Sequence, residues 1–191
     1  MQRSSATVVA LVGGGTAELL GRLGRAGGVR AVSVDPALEP IERAVAAQRG
    51  TTGAGAPLAV HDADPLAAVV AAWARLFDGT GAAGELEVAR AAVVQRWRAG
   101  AFDLPDFYVL LDPDGWDATV RHWYLGVLTG AAPSRVLPVR GADEVPAALR
   151  RLPAGRWWPE LGRLLDGVER QVPDTLVTPE PDAPALLRPG R

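Results

Sequence analysis

The chain has 191 residues, of which 48% are hydrophobic and 22% charged, with a formal net charge of −2. That suits one well-buried domain and argues against a disordered chain, a general nucleic-acid binder or a binder of anionic membranes. Cysteine is absent and every basic residue is arginine; disulfides, thiolate metal sites, a lysine nucleophile, a Schiff base and a phosphate-loop lysine are therefore excluded. With abundant Ala, Gly, Val and Pro, the composition resembles the coding bias of a high-GC bacterium, so arginine frequency carries little functional information. The first apolar run stops at Gly13, short of the ~7–15 residues of a secretory core. No stretch approaches the ~18 apolar residues of a membrane span, so the expected location is the cytoplasm.

In chain order, Val8 to Val12 reads as a buried strand that runs into Gly13, Gly14 and Gly15. Thr16 to Arg25 follows as a helix with Leu19, Leu20 and Leu23 at helical spacing, and Gly27 and Gly28 end it. Val29 to Val34 is a second strand ending on Asp35. Pro36 to Arg49 is a helix, and residues 50–56 are a loop. Leu58 to Val60 is a short third strand ending at His61 and Asp62. Asp64 and Pro65 are a cap and first-turn proline for a helix carrying Val69, Val70, Trp73 and Leu76. A second helix runs from Glu85 to Arg98.

Phe107 to Leu111 is the fourth strand, and Asp112 to Gly115 a turn. Trp116, Thr119, Val120, Trp123, Tyr124, Val127 and Leu128 then mark one face of an amphipathic helix. Arg135 to Val139 is the fifth strand. Two short helices follow, the last started by Pro159. Residues 173–191 hold prolines at 173, 179, 181, 184 and 189 and read as a disordered Pro-rich tail.

Strand–helix alternation with apolar strands predicts a three-layer Rossmann-like α/β fold. The expected sheet is mostly parallel, of about five strands, with helices on both faces. Residues 1–172 form its single domain, with a helical insert at 65–104.

The glycine turn is the first candidate site. Tight exit from a strand and close approach of backbone to a ligand both need residues without Cβ, which Gly13 and Gly15 supply. The helix from Thr16 points free N–H groups at such a ligand. Asp35 lies 20 residues after Gly15, the ~20 expected of an acid that accepts hydrogen bonds from a ribose. A Walker loop is ruled out, since Gly-Lys-Ser/Thr is missing. The plainer alternative is a set of turn glycines and a polar strand end.

The stretches GGGTAELLGRL and VRAVSVDPALEPIERA resemble the first two motifs of class I S-adenosylmethionine-dependent methyltransferases. AVHDADPLAA, residues 59–68, is similar to the third motif, and DFYVLLDPDGW, residues 106–116, sits where the fourth would lie. The resemblance covers roughly residues 7–66. It implies S-adenosylmethionine as cofactor, with Gly13 and Gly15 near its methionine part, Asp35 on the ribose hydroxyls and Asp62 on the adenine amine. The sequence departs from the family pattern at three points. Leu11 stands where an acid is usual, Ala17 replaces the third glycine, and the strands number five rather than seven.

On the reaction side, Asp112 follows the fourth strand and His122 lies beside the apolar stripe; these are the candidate catalytic residues. Asp-Pro-Asp-Gly is equally turn chemistry, and either histidine is equally a packed or surface residue. No metal site is expected from two histidines without cysteine. A serine hydrolase elbow is missing. Six tryptophans are present; Trp73, Trp97, Trp116 and Trp123 sit at core spacings. Trp157 and Trp158 are adjacent, so one of them is expected to cover the sheet end or a partner surface.

The leading expectation is an S-adenosylmethionine-binding, methyltransferase-like protein acting on a small molecule. The alternative is a non-catalytic Rossmann-like interaction or regulatory protein with a degenerate nucleotide pocket, engaging a protein partner or forming a homodimer. A dinucleotide-dependent oxidoreductase is a third reading, weakened by Glu18, whose carboxylate would repel a pyrophosphate at the helix start.

Overall fold

The computed structural model describes residues 6–25, 27–52 and 55–173. The expected Pro-rich tail therefore lies, beyond Pro173, outside the described residues. Five parallel strands form one sheet in the order β2-β3-β1-β4-β5. They are β1 (Thr7–Val12), β2 (Val29–Val32), β3 (Leu58–His61), β4 (Phe107–Leu111) and β5 (Val136–Val139). The chain thus has the three-layer α/β fold expected, with Rossmann-like layering.

Strand alternation explains the layers. In β1, Val9 and Leu11 point to one face and Ala10 to the other; in β4, Phe107, Val109 and Leu111 oppose Tyr108 and Leu110. Both strands are apolar throughout because both faces are covered. One face packs α1 (Thr16–Leu23) and α7 (Val145–Arg150) through Leu19, Leu20, Leu23, Val145 and Leu149. The other face packs α2 (Pro40–Thr51), α3 (Ala67–Phe77), α4 (Ala83–Arg98) and α8 (Leu161–Leu164). The same face receives α5 (Ala118–His122), which widens into a π-helical segment, Trp123–Leu128, and closes with α6 (Thr129–Ala131). Gly126 permits this course, since a Cβ there would meet the His122 ring at 2.8 Å.

Several element limits differ from the sequence reading by a few residues, β2 ending at Val32 rather than Val34 and the third helix starting at Ala67 rather than Pro65; two helices differ further. The second helix begins at Pro40 rather than Pro36. Asp35 instead holds a turn, accepting the Ala37 N–H on Oδ1 at 2.9 Å and the Leu38 N–H on its carbonyl at 3.3 Å. The last helix is broken at Gly167, whose φ of 72° ends one turn before the 3-10 turn Val168–Arg170 begins. Among the described residues no helix is long and apolar enough to cross a membrane.

The larger core centres on Trp73, fully buried between Phe77 and Trp123 with ring centroids at 4.7 and 5.4 Å. Its Nε1–H donates to the Val168 carbonyl at 2.8 Å, tying α3 to the chain beyond α8. Trp73→Phe leaves that carbonyl without its donor and opens a void. Urea unfolding should report a loss of about 1–3 kcal/mol, the cost of a buried polar group left unpaired, plus a smaller cavity penalty.

Candidate functional site

Ligand crevices in open α/β sheets form at the carboxyl ends of strands whose connections leave to opposite faces. β1 is such a strand: its helix α1 packs on one face, while α3 and α5, after its neighbours β3 and β4, pack on the other. The glycine turn therefore sits between the tips of β3 and β4. In the dinucleotide-binding order 3-2-1-4-5-6 the second strand adjoins the first. Here β3 takes that place and β2 is moved to the edge. Asp35, exposed beyond β2, is thereby two strand positions from β1, about 10 Å across the sheet. Asp62, at the tip of β3, is the acid beside the turn.

Gly13 has φ 128° and Gly15 φ 73°. A Cβ on Gly13 would lie 2.7 Å from the Leu111 carbonyl oxygen and 3.2 Å from Trp116 Cζ2. The glycine is thus demanded by β4 and by an indole. Trp116 donates its Nε1–H to the same Leu111 carbonyl at 3.0 Å and meets Tyr124 edge-on at 5.4 Å. Gly14 and Gly15 face open space: beyond their chain neighbours, no atom lies within 4 Å of where a Cβ would stand.

Asp62 is held by the protein on both sides. Thr16 Oγ1 donates to Oδ2 at 3.4 Å, and Arg43 Nη2 from α2 lies 3.4 Å from Oδ1. Arg43 Nη2 also donates to the Asp62 carbonyl at 3.2 Å. A helix-start hydroxyl paired with an acid on a neighbouring strand is how phosphate-binding loops hold Mg²⁺. In this chain a guanidinium occupies the cation's side of the acid, and no lysine exists to meet a phosphate.

Behind Asp62 lies a buried polar knot. Asp64 accepts from the Tyr108 hydroxyl at 2.9 Å, the Tyr124 hydroxyl at 2.6 Å and the Leu66 N–H at 2.8 Å. Burial pushes its carboxyl above the ordinary carboxylate range, against the lowering effect of these bonds. Burial likewise raises both phenols. His61 is buried too, and desolvation, reinforced by the Arg43 charge, lowers it to about 4. Its Nδ1 accepts the Ala63 N–H at 3.2 Å, which places the neutral ring's proton on Nε2.

The residues expected on the reaction side are not drawn into one pair. Asp112 is exposed at the tip of β4 in the left-handed region, φ 47°, with its N–H donated to the Val139 carbonyl. His122 stacks on Trp73, centroids 6.2 Å apart. The structure therefore brings Gly13, Thr16 and Asp62 together and keeps Asp35, Asp112 and His122 on separate neighbours. Sequence reasoning reads Asp64 only as a helix cap and passes over Tyr108 and Tyr124. A tyrosine inside each apolar stripe is the available signal, since a buried phenol needs a partner. Among the described residues no group of three His, Asp or Glu is placed to hold a metal ion. Compared with protein-family models, curated proteins and solved structures, the chain matches none.

The turn and the buried imidazole each generate a test. Gly13→Ala, strained in φ and blocked by β4, should cost more than about 2 kcal/mol in denaturant unfolding, whereas Gly14→Ala should stay within about 0.5 kcal/mol. If the two cost the same, the turn is not held by β4. His61 loses protons more readily in the folded state than its ordinary 6.5, so the unfolded chain binds the extra proton between pH 6.5 and about 4. Its contribution to stability is complete above 6.5 and lost as pH falls through that window, by at most about 1.4 kcal/mol per pH unit. His61→Asn keeps an acceptor for Ala63. The stability of wild type relative to this variant should decline across the window, and a constant difference would exclude a neutral buried His61.

Proposed function

We propose that this chain is a non-catalytic α/β interaction or regulatory protein, built on a ligand-binding architecture whose crevice its own side chains occupy. The observation that carries this reading is the double closure beside β1. Trp116 packs over Gly13, and Arg43 with Thr16 engages Asp62. A nucleotide-like ligand at the turn would have to displace an indole bonded to Leu111 and compete with a guanidinium for the acid. Both costs fall on binding before any favourable contact forms.

The second reading is S-adenosylmethionine binding and methyl transfer to a small molecule. It is supported by the open space over Gly14 and Gly15, and by Arg43 Nε and Asp62 Oδ1, which are buried without a hydrogen bond among the described residues. A bound polar group would satisfy both atoms. Methyl transfer from a sulfonium needs in-line positioning more than an acid–base pair, so a sparse reaction side is compatible with it.

The test is the melting temperature of the full chain, with and without millimolar S-adenosylhomocysteine, for wild type and Asp62→Asn. The expected result is no ligand-dependent shift in either. A ligand at 100 times its dissociation constant stabilises by about 2.7 kcal/mol, several degrees for a chain of this size. A shift of that order in wild type would overturn the proposal, and its loss in Asp62→Asn would assign the ligand to the turn.

A further inference from the structure

The opposite side of the fold, near the start of β4, carries a groove that the crevice does not involve. Its volume is about 590 Å³, and it is lined by the last turn of α4, residues 100–104 and the segment before α8. Three indoles reach it. Trp158 is buried and fixed, donating Nε1–H to the Pro105 carbonyl at 2.7 Å. Trp157 is half-buried, with the Arg135 guanidinium 4.6 Å from its ring. Trp97 is half-buried, and its indole N–H makes no hydrogen bond among the described residues.

Arginines flank these rings, and Asp103 is the acid in the lining. Arg98 lines the groove itself, and a second hollow of about 420 Å³, sharing Gly100, continues it towards Arg49 and Arg96. Arg96 is paired with Glu42 at 2.6 Å. Arg49 and Arg98 make no ion pair among the described residues.

Indole-lined grooves suit proline. Its ring packs flat on the aromatic face, the indole N–H donates to a peptide carbonyl, and fixed φ reduces the entropy lost on docking. Unpaired arginines at the rim select acids among the prolines. The chain contains such a segment, Thr178-Pro179-Glu180-Pro181-Asp182-Ala183-Pro184. Its reach suffices. Glu169 is anchored to Arg90 of α4 at 3.3 Å, and Arg90 precedes Trp97 by about 10 Å along the helix. The chain from Glu169 to Thr178 can span up to about 30 Å.

We propose that the Trp97–Trp157 groove is the docking site, in cis, of this chain's own acidic proline-rich segment Thr178–Pro184. Prolines cover the two indoles, and Glu180 and Asp182 meet Arg98 and Arg49. This goes beyond the reading of the crevice and does not depend on it.

The experiment uses the ¹⁵N-labelled full chain and follows the tryptophan indole N–H resonances. Replacing Pro179, Pro181 and Pro184 together by Ser should move the Trp97 and Trp157 resonances and leave Trp73, buried elsewhere, in place. A synthetic peptide spanning residues 176–186, titrated into that variant, should return them saturably towards the wild-type positions. Trp97→Ala or Arg98→Glu in the same background should weaken the peptide by about tenfold or more, the scale of a lost interface anchor. Arg98 is exposed, so its replacement tests the site even if Trp97→Ala fails to fold. Identical indole spectra for wild type and the triple variant, with no saturable response to the peptide, would overturn the proposal. Equal peptide binding by both chains, with a concentration-dependent dimer of the wild type, would overturn docking in cis by showing that the segment reaches a second copy.

Discussion

The close approach of β1 to β4 at Gly13 fixes what the carboxyl end of this sheet can be. Without a side chain, the turn comes so near the Leu111 carbonyl that a Cβ would stand 2.7 Å from it. That carbonyl is also the acceptor for Trp116, so one atom sets both the path of the turn and the position of the indole. Trp116 in turn meets Tyr124, and Tyr124 donates to Asp64 at the exit of β3. The chain of contacts runs from β1 through β4 and the π-helical segment back to β3. The glycine is therefore a packing requirement here before it is a ligand requirement, which is why its presence alone does not define a cofactor site.

The alternation of elements is legible in the sequence because each strand is a short apolar run and each helix carries a 3.6-residue stripe. Strand order is not. A residue pattern states how far β2 or β3 is covered, but not which strand each adjoins; the local mark of an edge is Arg30, exposed in β2. The consequence falls on Asp35. Its spacing from Gly15 matches a ribose-binding acid only where β2 adjoins β1; with β3 in between, the same spacing ends about 10 Å away. The helix limits are legible to within a turn. The shift from Pro36 to Pro40 arises because Asp35 commits its carboxylate to the Ala37 N–H, a local bond that competes with helix initiation.

Within the site, the members that sequence reading identifies and the structure groups are those tied to β1 or its neighbours, Gly13 and Asp62. What sequence reading misses is long-range pairing. Arg43 lies in α2 and shows nothing in its own neighbourhood to mark it as the partner of Asp62; only the packing of α2 beside β3 brings them to 3.4 Å. Asp64 does not cap the helix, which starts at Ala67 behind Leu66; it accepts the Leu66 N–H in a local turn as well as two distant phenols, and the local role conceals the other. The tryptophans divide in the same way. Trp73 and Trp123 are fully buried as their spacing implies, while Trp97, also at a core spacing, is only partly buried at the end of α4, packed against the edge of the larger core.

The electrostatics of the crevice follow from burial with unequal compensation. His61 and Asp64 are both withdrawn from water, and in both cases desolvation is the larger cause, favouring a neutral imidazole and a neutral carboxyl. The two differ in what opposes it. Asp64 has three donors that favour its ionised form, whereas His61 has only the Ala63 N–H, directed at a nitrogen that is already unprotonated. Arg43 acts on both in the same sense, disfavouring the imidazolium and favouring the carboxylate. One guanidinium therefore offsets the charge of Asp62, restrains His61 and supports Asp64. A positive charge serving three internal groups is less available to an incoming anion, and this, together with the missing lysine, separates the turn from a phosphate-binding loop.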